Sequence, residues 1–129
     1  MKGFIEDIEK LTEDNTDYRR VLYTGKNIQL VLMSLKPGDE IGEEVHEDRD
    51  QFFRIEQGEG AVVIDGVRTK VKADDAIIVP AGASHNVINS GSKDLQLYSL
   101  YAPPEHKEGT IHAIKADEKE EHFDGKTTE

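Results

Sequence analysis

Residues 43–53 read EEVHEDRDQFF, a run crowded with acids that carries a single histidine. Glu44 and His46 stand two apart, so an extended backbone points both side chains the same way. Gln51 follows after a four-residue connection, 47–50, at the start of the next apolar run. Further on, residues 80–89 read PAGASHNVIN, in which His85, Val87 and Asn89 share one face of a strand. One carboxylate, two imidazoles and one amide oxygen form a sensible set around a divalent ion. Imidazole suits iron, nickel, copper and zinc, and oxygen donors extend the range to manganese. Zinc ordinarily takes a tighter four-ligand set. Each residue taken singly has a plainer explanation. A histidine beside a turn is normally solvated and glutamine is an uncommon ligand. Spacing alone therefore leaves open a charged turn covered by water.

The elements that would position these residues are short strands. From residue 19 the sequence breaks into apolar runs: RRVLYT, IQLVLMSLK, EIGEEVH, QFFRIEQ, AVVID, VRTKVK, AIIVP, HNVIN and LQLYSLYA. Turn-forming segments such as KPGD, GEG, DG and SGSKD separate them. Asp65-Gly66 is a two-residue hairpin signal, because both residues accept positive φ. Connections this short cannot hold crossover helices, so the strands must be antiparallel. The pattern predicts an all-β sandwich or barrel over 19–102. Residues 1–18 are expected to form an N-terminal segment packing on it, in which Phe4, Ile8 and Leu11 would share one helical face, though a short helix or an edge strand would both serve. Residues 103–114 read as an extended arm and the remainder as a charged, partly disordered tail, with a weak helix signal at 115–121.

Gln51, Phe53, Ile55 and Gln57 share one strand face. Phe53, Ile55 and Met33 would make much of a pocket wall apolar. Tyr98 and Tyr101 face opposite ways along their strand, so at most one reaches the pocket, and we assign Tyr98. The strands IQLVLMSL and LQLYSLYA carry apolar groups on both faces, whereas a lone small barrel should show one face to water. That double load predicts burial against a second sheet or a second subunit, with the arm lying across the neighbour.

Bulk composition narrows the partners. Of 129 residues 33% are charged, and the formal net charge of -11 disfavours nucleic acid and anionic membrane surfaces. Cysteine is absent, which removes disulfides and thiolate chemistry. The start, MKGFIEDIEKL, lacks an apolar core of signal-peptide length, and nothing later is long enough to span a bilayer. A cytoplasmic protein is expected.

The two segments that carry the donors resemble the paired motifs of the cupin superfamily of small β-barrels. The first motif runs glycine, five residues, His-x-His, three or four residues, Glu, six residues, glycine. It matches here as Gly38, Glu44, His46, Gln51 and Gly58. The second runs glycine, five residues, Pro-x-Gly, two residues, His, three residues, Asn. It matches as Asp74, Pro80, Gly82, His85 and Asn89. The resemblance covers roughly residues 28–101. Three departures stand out: Glu44 replaces the first histidine, Gln51 the glutamate and Asp74 the glycine that opens the second motif. Four donors nonetheless remain in the right places.

The resemblance implies a double-stranded β-helix, or jelly-roll, barrel. It also implies a divalent metal ion (Fe, Mn, Ni or Zn) held by Glu44, His46, Gln51 and His85. The implied partners are a small-molecule ligand in the barrel and a second subunit in a homodimer. Longer stretches look like single-domain cupins often labelled similar to mannose-6-phosphate isomerase. Those isomerases are much longer and hold zinc with other ligands, so their activity is not carried over. Isomerase-like or dioxygenase-like chemistry on an oxygen-rich metabolite remains open beside a non-catalytic sugar or metabolite binder and a purely structural dimer.

Overall fold

In a computed structural model that describes residues 2–129, the nine apolar runs become β1–β9 and the arm adds a tenth strand. They are β1 Arg19–Thr24, β2 Gln29–Leu35, β3 Glu44–Val45, β4 Asp50–Gln57 and β5 Glu59–Ile64. There follow β6 Val67–Lys72, β7 Ala76–Val79, β8 Ser84–Ile88, β9 Leu95–Ala102 and β10 Ile111–His112. All pairings are antiparallel, as the short connections require. A six-stranded sheet runs β10-β1-β2-β9-β4-β7, and a four-stranded sheet runs β3-β8-β5-β6. The two face each other in the jelly-roll arrangement. Between them lie Val31, Met33, Leu35, Phe53, Ile55, Leu95 and Leu97 from the first sheet and Val62 and Val87 from the second, all buried. No helix of the described residues is long and apolar enough to cross a membrane.

Turn chemistry appears where the sequence put it. Asp65 and Gly66 both take positive φ, 47° and 81°, and close the β5–β6 hairpin. Asp74, which replaces a motif glycine, still adopts φ 77°. The local backbone therefore keeps the glycine conformation although the side chain is wrong for it. Its carboxylate meets Arg54 at 3.2 Å on the surface, an exposed ion pair of little worth. Asp74→Gly should thus raise stability by roughly 0.5–1 kcal/mol in urea melts, because left-handed backbone strains a residue with a Cβ.

The N-terminal helix, α1 Ile8–Asp14, is capped by the Asp7 side chain, which accepts from the Lys10 backbone N–H at 3.1 Å. Phe4 precedes this helix and packs its ring 6.1 Å from that of Tyr23. The arm and tail, 103–129, lie on their own barrel instead of reaching away from it. Gln29, fully buried, fastens the arm: its Oε1 accepts from the backbone N–H groups of Glu105 and His106, and its Nε2 donates to the His106 carbonyl. β10 then adds to the sheet edge beside β1. Only Lys115–Asp117 winds into a helical turn, so the helix expected over 115–121 shortens to one 3-10 turn.

Pairing in the six-stranded sheet fixes which residues look inward. Gln29, Val31, Met33 and Leu35 are in phase with Tyr101, Ser99, Leu97 and Leu95, and Gln51, Phe53 and Ile55 complete that face. Leu30, Leu100 and Phe52 take the outer face with Tyr98. There the Tyr98 ring packs 6.2 Å from Phe52, and Ile78 is 69% exposed.

Candidate metal centre

Both sheets contribute to one cluster. Glu44 on β3 and His85 on β8 are directly paired across the four-stranded sheet, which sets both side chains on the same face. His46 follows β3 by one residue and returns to the Glu44 side, as the two-residue step requires. Ligand atoms of Glu44, His46 and His85 all lie within 4.8 Å of one another. The His46 and His85 rings are 5.3 Å apart. Gln51 enters from the opposite sheet on β4, inward-facing and buried.

The hydrogen bonds leave lone pairs aimed inward. His85 Nδ1 lies 3.3 Å from the Ala83 carbonyl, so Nδ1 carries the proton and Nε2 the lone pair. Nε2 is buried and has no partner among the described residues. Gln51 Nε2 donates to Ser99 Oγ at 2.9 Å, which turns its Oε1 the other way, buried and likewise without a partner. Leaving two such acceptors buried and unpaired costs on the order of 1–3 kcal/mol each. Their chemistry suits a cation as the missing partner.

Charges are tuned around the same point. Burial pushes His85 below the ordinary imidazole value, which keeps it neutral. His46 moves the other way: its Nε2 meets Glu44 Oε2 at 3.1 Å, and that hydrogen bond raises its pKa against a smaller effect of burial. Burial alone would raise the Glu44 carboxyl, but the His46 hydrogen bond and the charges of His46 and Arg19 carry it below the usual range. On its far side His46 Nδ1 lies 3.5 Å from Glu105 Oε2, and Glu105 is in turn paired with Arg49. A carboxylate at each nitrogen fixes the orientation of this imidazole and favours its protonated form while no cation is present.

The structure therefore brings Glu44, His46 and His85 together, with Gln51 opposite. Among the expected wall residues, the Phe53 ring packs 6.3 Å from that of His85. Met33 and Ile55 share its inward face, fully buried. Tyr98 does not reach the site, because its phase puts it on the outer face. Tyr101 takes that place, buried, its ring 5.9 Å from that of His46. Asn89 serves the fold: its Nδ2 donates to the carbonyls of Leu35 and Lys93.

Beside Glu44 and His46 opens a cavity of 430 Å³, also lined by Arg19, Glu105, His106 and tail residues 118–122. Strand spacing gave no access to Glu105 or His106, which lie in an irregular arm positioned by Gln29. Arg19 did leave a trace, being in phase with the buried Val21.

Comparison with known proteins points the same way. The sequence profile of the Cupin domain family matches residues 31–101. Protein YrkC of Bacillus subtilis (strain 168) is 48% identical over 122 residues, which take in 90% of this chain and 66% of YrkC. The chain thus spans just under two thirds of that relative's length. The oxalate-binding protein of Thermotoga maritima is 32% identical over 68 residues, 53% of this chain and 56% of that protein. Among solved structures, BH2720 from Bacillus halodurans superposes with a TM-score of 0.88 at 43% identity, covering 90% of this chain and 92% of that one.

Proposed function

As the chain belongs to the cupin family, we propose that it holds one divalent metal ion on Glu44, His46, Gln51 and His85, and that it binds a small oxygen-rich metabolite in the adjoining cavity. The observation that carries this reading is the pair of buried acceptors without partners, His85 Nε2 and Gln51 Oε1, beside the Glu44–His46 pair. When bound, such an ion would polarise an oxygen of the ligand. Glu44 with the two imidazoles supplies a two-histidine, one-carboxylate set that suits Fe, Mn or Ni, and Gln51 adds a neutral oxygen. His85 and His46 would donate from Nε2, with Ala83 and Glu105 fixing their other nitrogens. The oxalate-binding protein similar to this chain carries a small oxygen-rich ligand by name, which supports the ligand class.

Free residues for proton transfer are scarce next to the donor cluster. Glu44 and His46 are engaged as donors, Glu105 is paired with Arg49, and burial raises the Tyr101 phenol, whose OH lies 3.2 Å from His106 Nε2. This scarcity favours binding of the metabolite over isomerase-like or dioxygenase-like turnover. The test is metal analysis of purified protein, followed by loading with Fe, Mn, Ni and Zn in turn and assay on a panel of hydroxy acids, keto acids and sugars. Stoichiometric metal with ligand binding and no turnover supports the binder. Turnover with one metal supports the enzyme, and absence of metal uptake sinks both.

The outer face of the six-stranded sheet supports a second proposal. Leu30, Phe52, Tyr98, Leu100 and Ile78 form a contiguous apolar surface that water covers poorly. We infer that two chains pair through it. Light scattering should then give about twice the 14.5 kDa chain mass. Phe52→Glu should return the protein to a single-chain species with its metal content unchanged.

A further inference from the structure

One cavity residue is neither a donor of the metal centre nor part of the apolar core. Arg19 opens β1 on its inward face, between Met33 of β2 and His112 of β10. Its side chain is 3% exposed. The guanidinium lies over the Tyr18 ring, 5.2 Å from the centroid. Nη1 donates to Glu118 Oε2 at 2.7 Å and lies 3.5 Å from His112 Nδ1. Nε is buried with no partner. A permanently charged fork at such a position is expensive, and an apolar residue of similar size often serves a core better. Of the five N–H donors of the fork only those on Nη1 meet partners among the described residues, and the cavity the fork borders is the one lined by Glu44 and His46.

The carboxylate on Arg19 comes from a mostly exposed segment of the tail. No residue of the Lys115–Asp117 turn before it is buried. The segment is held by polar contacts: Tyr18 OH donates to Glu118 Oε2 at 3.3 Å, Lys115 Nζ to the Ile41 carbonyl at 3.0 Å, and His122 Nδ1 lies 3.2 Å from Glu105 Oε1. Water can replace each of these at little net cost. Glu118 is therefore a tethered carboxylate at the entrance of the cavity, seated on its one buried guanidinium.

We propose that Arg19 anchors the ligand by receiving a carboxylate, so that the metabolite is a small organic acid, and that Glu118 occupies this position until the acid displaces it. The idea rests on the cavity being the metabolite site proposed above. A carboxylate exchanges for Glu118 without changing the charge beside Arg19. A phosphate dianion would put both of its charges beside Arg19, in a cavity already lined by Glu44, Glu105, Glu120 and Glu121, whereas a dicarboxylate sets only one of its two there. Planar, two-pronged acceptance by a guanidinium favours a carboxylate of the same shape.

Calorimetric titration of malonate into metal-stripped protein tests this apart from the metal. Wild type should bind weakly, because the tethered Glu118 competes at an effective concentration in the millimolar range. Glu118→Gln should bind about tenfold or more tightly, and Arg19→Lys in the Glu118→Gln background should lose that gain. Inorganic phosphate should remain weak throughout. Equal malonate affinity in wild type and Glu118→Gln would overturn the proposal, as would malonate binding that survives loss of Arg19. Phosphate binding that matches malonate would overturn the assignment to organic acids. Circular dichroism checks that each variant is folded, and Glu118 lies on the surface, where exchange is tolerated. Metal titration of Glu118→Gln is read separately: a variant that binds malonate but takes up no ion sinks the metal centre and leaves Arg19 in place.

Discussion

If the proposed centre holds an ion, His85→Ala should leave the purified protein with less than about a tenth of the metal of the wild type and weaken metal affinity by more than about 100-fold. His46→Ala should do the same. The reasoning begins with the neutral state of His85. Burial depresses its pKa and the Ala83 carbonyl takes its Nδ1 proton, so Nε2 presents a lone pair at no protonation cost. Replacing it by a methyl group removes the donor that the buried geometry makes most available. His46 contributes the second imidazole, oriented by Glu105, and Glu105→Gln should cost about 10–100-fold in affinity without abolishing binding. His112→Ala is the control. His112 is buried on β10 beside Arg19, outside the donor cluster, so its loss should leave metal content unchanged. Elemental analysis of the four proteins gives the answer. Equal metal in wild type, His46→Ala and His85→Ala would remove the ion from this site.

Acidification should release the proposed ion with a slope that reports one proton. His46 must shed its Nε2 proton before it can donate to a metal, whereas His85 is already neutral and Glu44 already ionised. Below the His46 pKa, which lies above the ordinary 6.5, affinity should fall roughly tenfold per pH unit. The same group acts in the opposite sense on the metal-free fold. A histidine whose pKa is raised by folding stabilises the protein below its unfolded pKa, and that contribution disappears as pH rises through the folded value. Protonated His46 bridges Glu44 and Glu105, with Arg49 beyond Glu105 opposing the charge. Metal-free wild type should therefore gain stability on His46→Gln more at pH 8 than at pH 6, or lose less, while metal affinity in the wild type rises over the same interval. Isothermal titration at several pH values measures the slope. A slope near two would mean that His85 also starts protonated, and a flat profile would exclude His46 as a ligand.

Most of the barrel was legible in the sequence because its signals are local. Short apolar runs, tight turns and a two-fold side-chain period specify antiparallel strands, and Asp65-Gly66 turns where its chemistry demands. The site was legible to the extent that its donors sit on strands or one residue beyond. The step from Glu44 to His46 and the phase of His85 survive into three dimensions because β3 and β8 pair directly. Two kinds of information were out of reach. Period two separates Tyr98 from Tyr101 but does not say which faces inward; that depends on the register of β9 against β2 and β4. The arm has no period at all. Glu105, His106 and Glu118 reach the cavity through Gln29, through pairing of β10 with β1 and through the Arg19 ion pair, contacts separated by 76 to 99 positions along the chain. No local rule connects residues so far apart.

The division of the donors between two sheets has a mechanical consequence. Glu44, His46 and His85 belong to one layer of the sandwich and Gln51 to the other. An ion held by all four would act as a rivet through both layers at the end where β3 is only two residues long. Loading the rivet should slow amide exchange in β3 and β4 together, although these strands share no hydrogen bond. Its removal should let the β3 corner breathe independently of the rest.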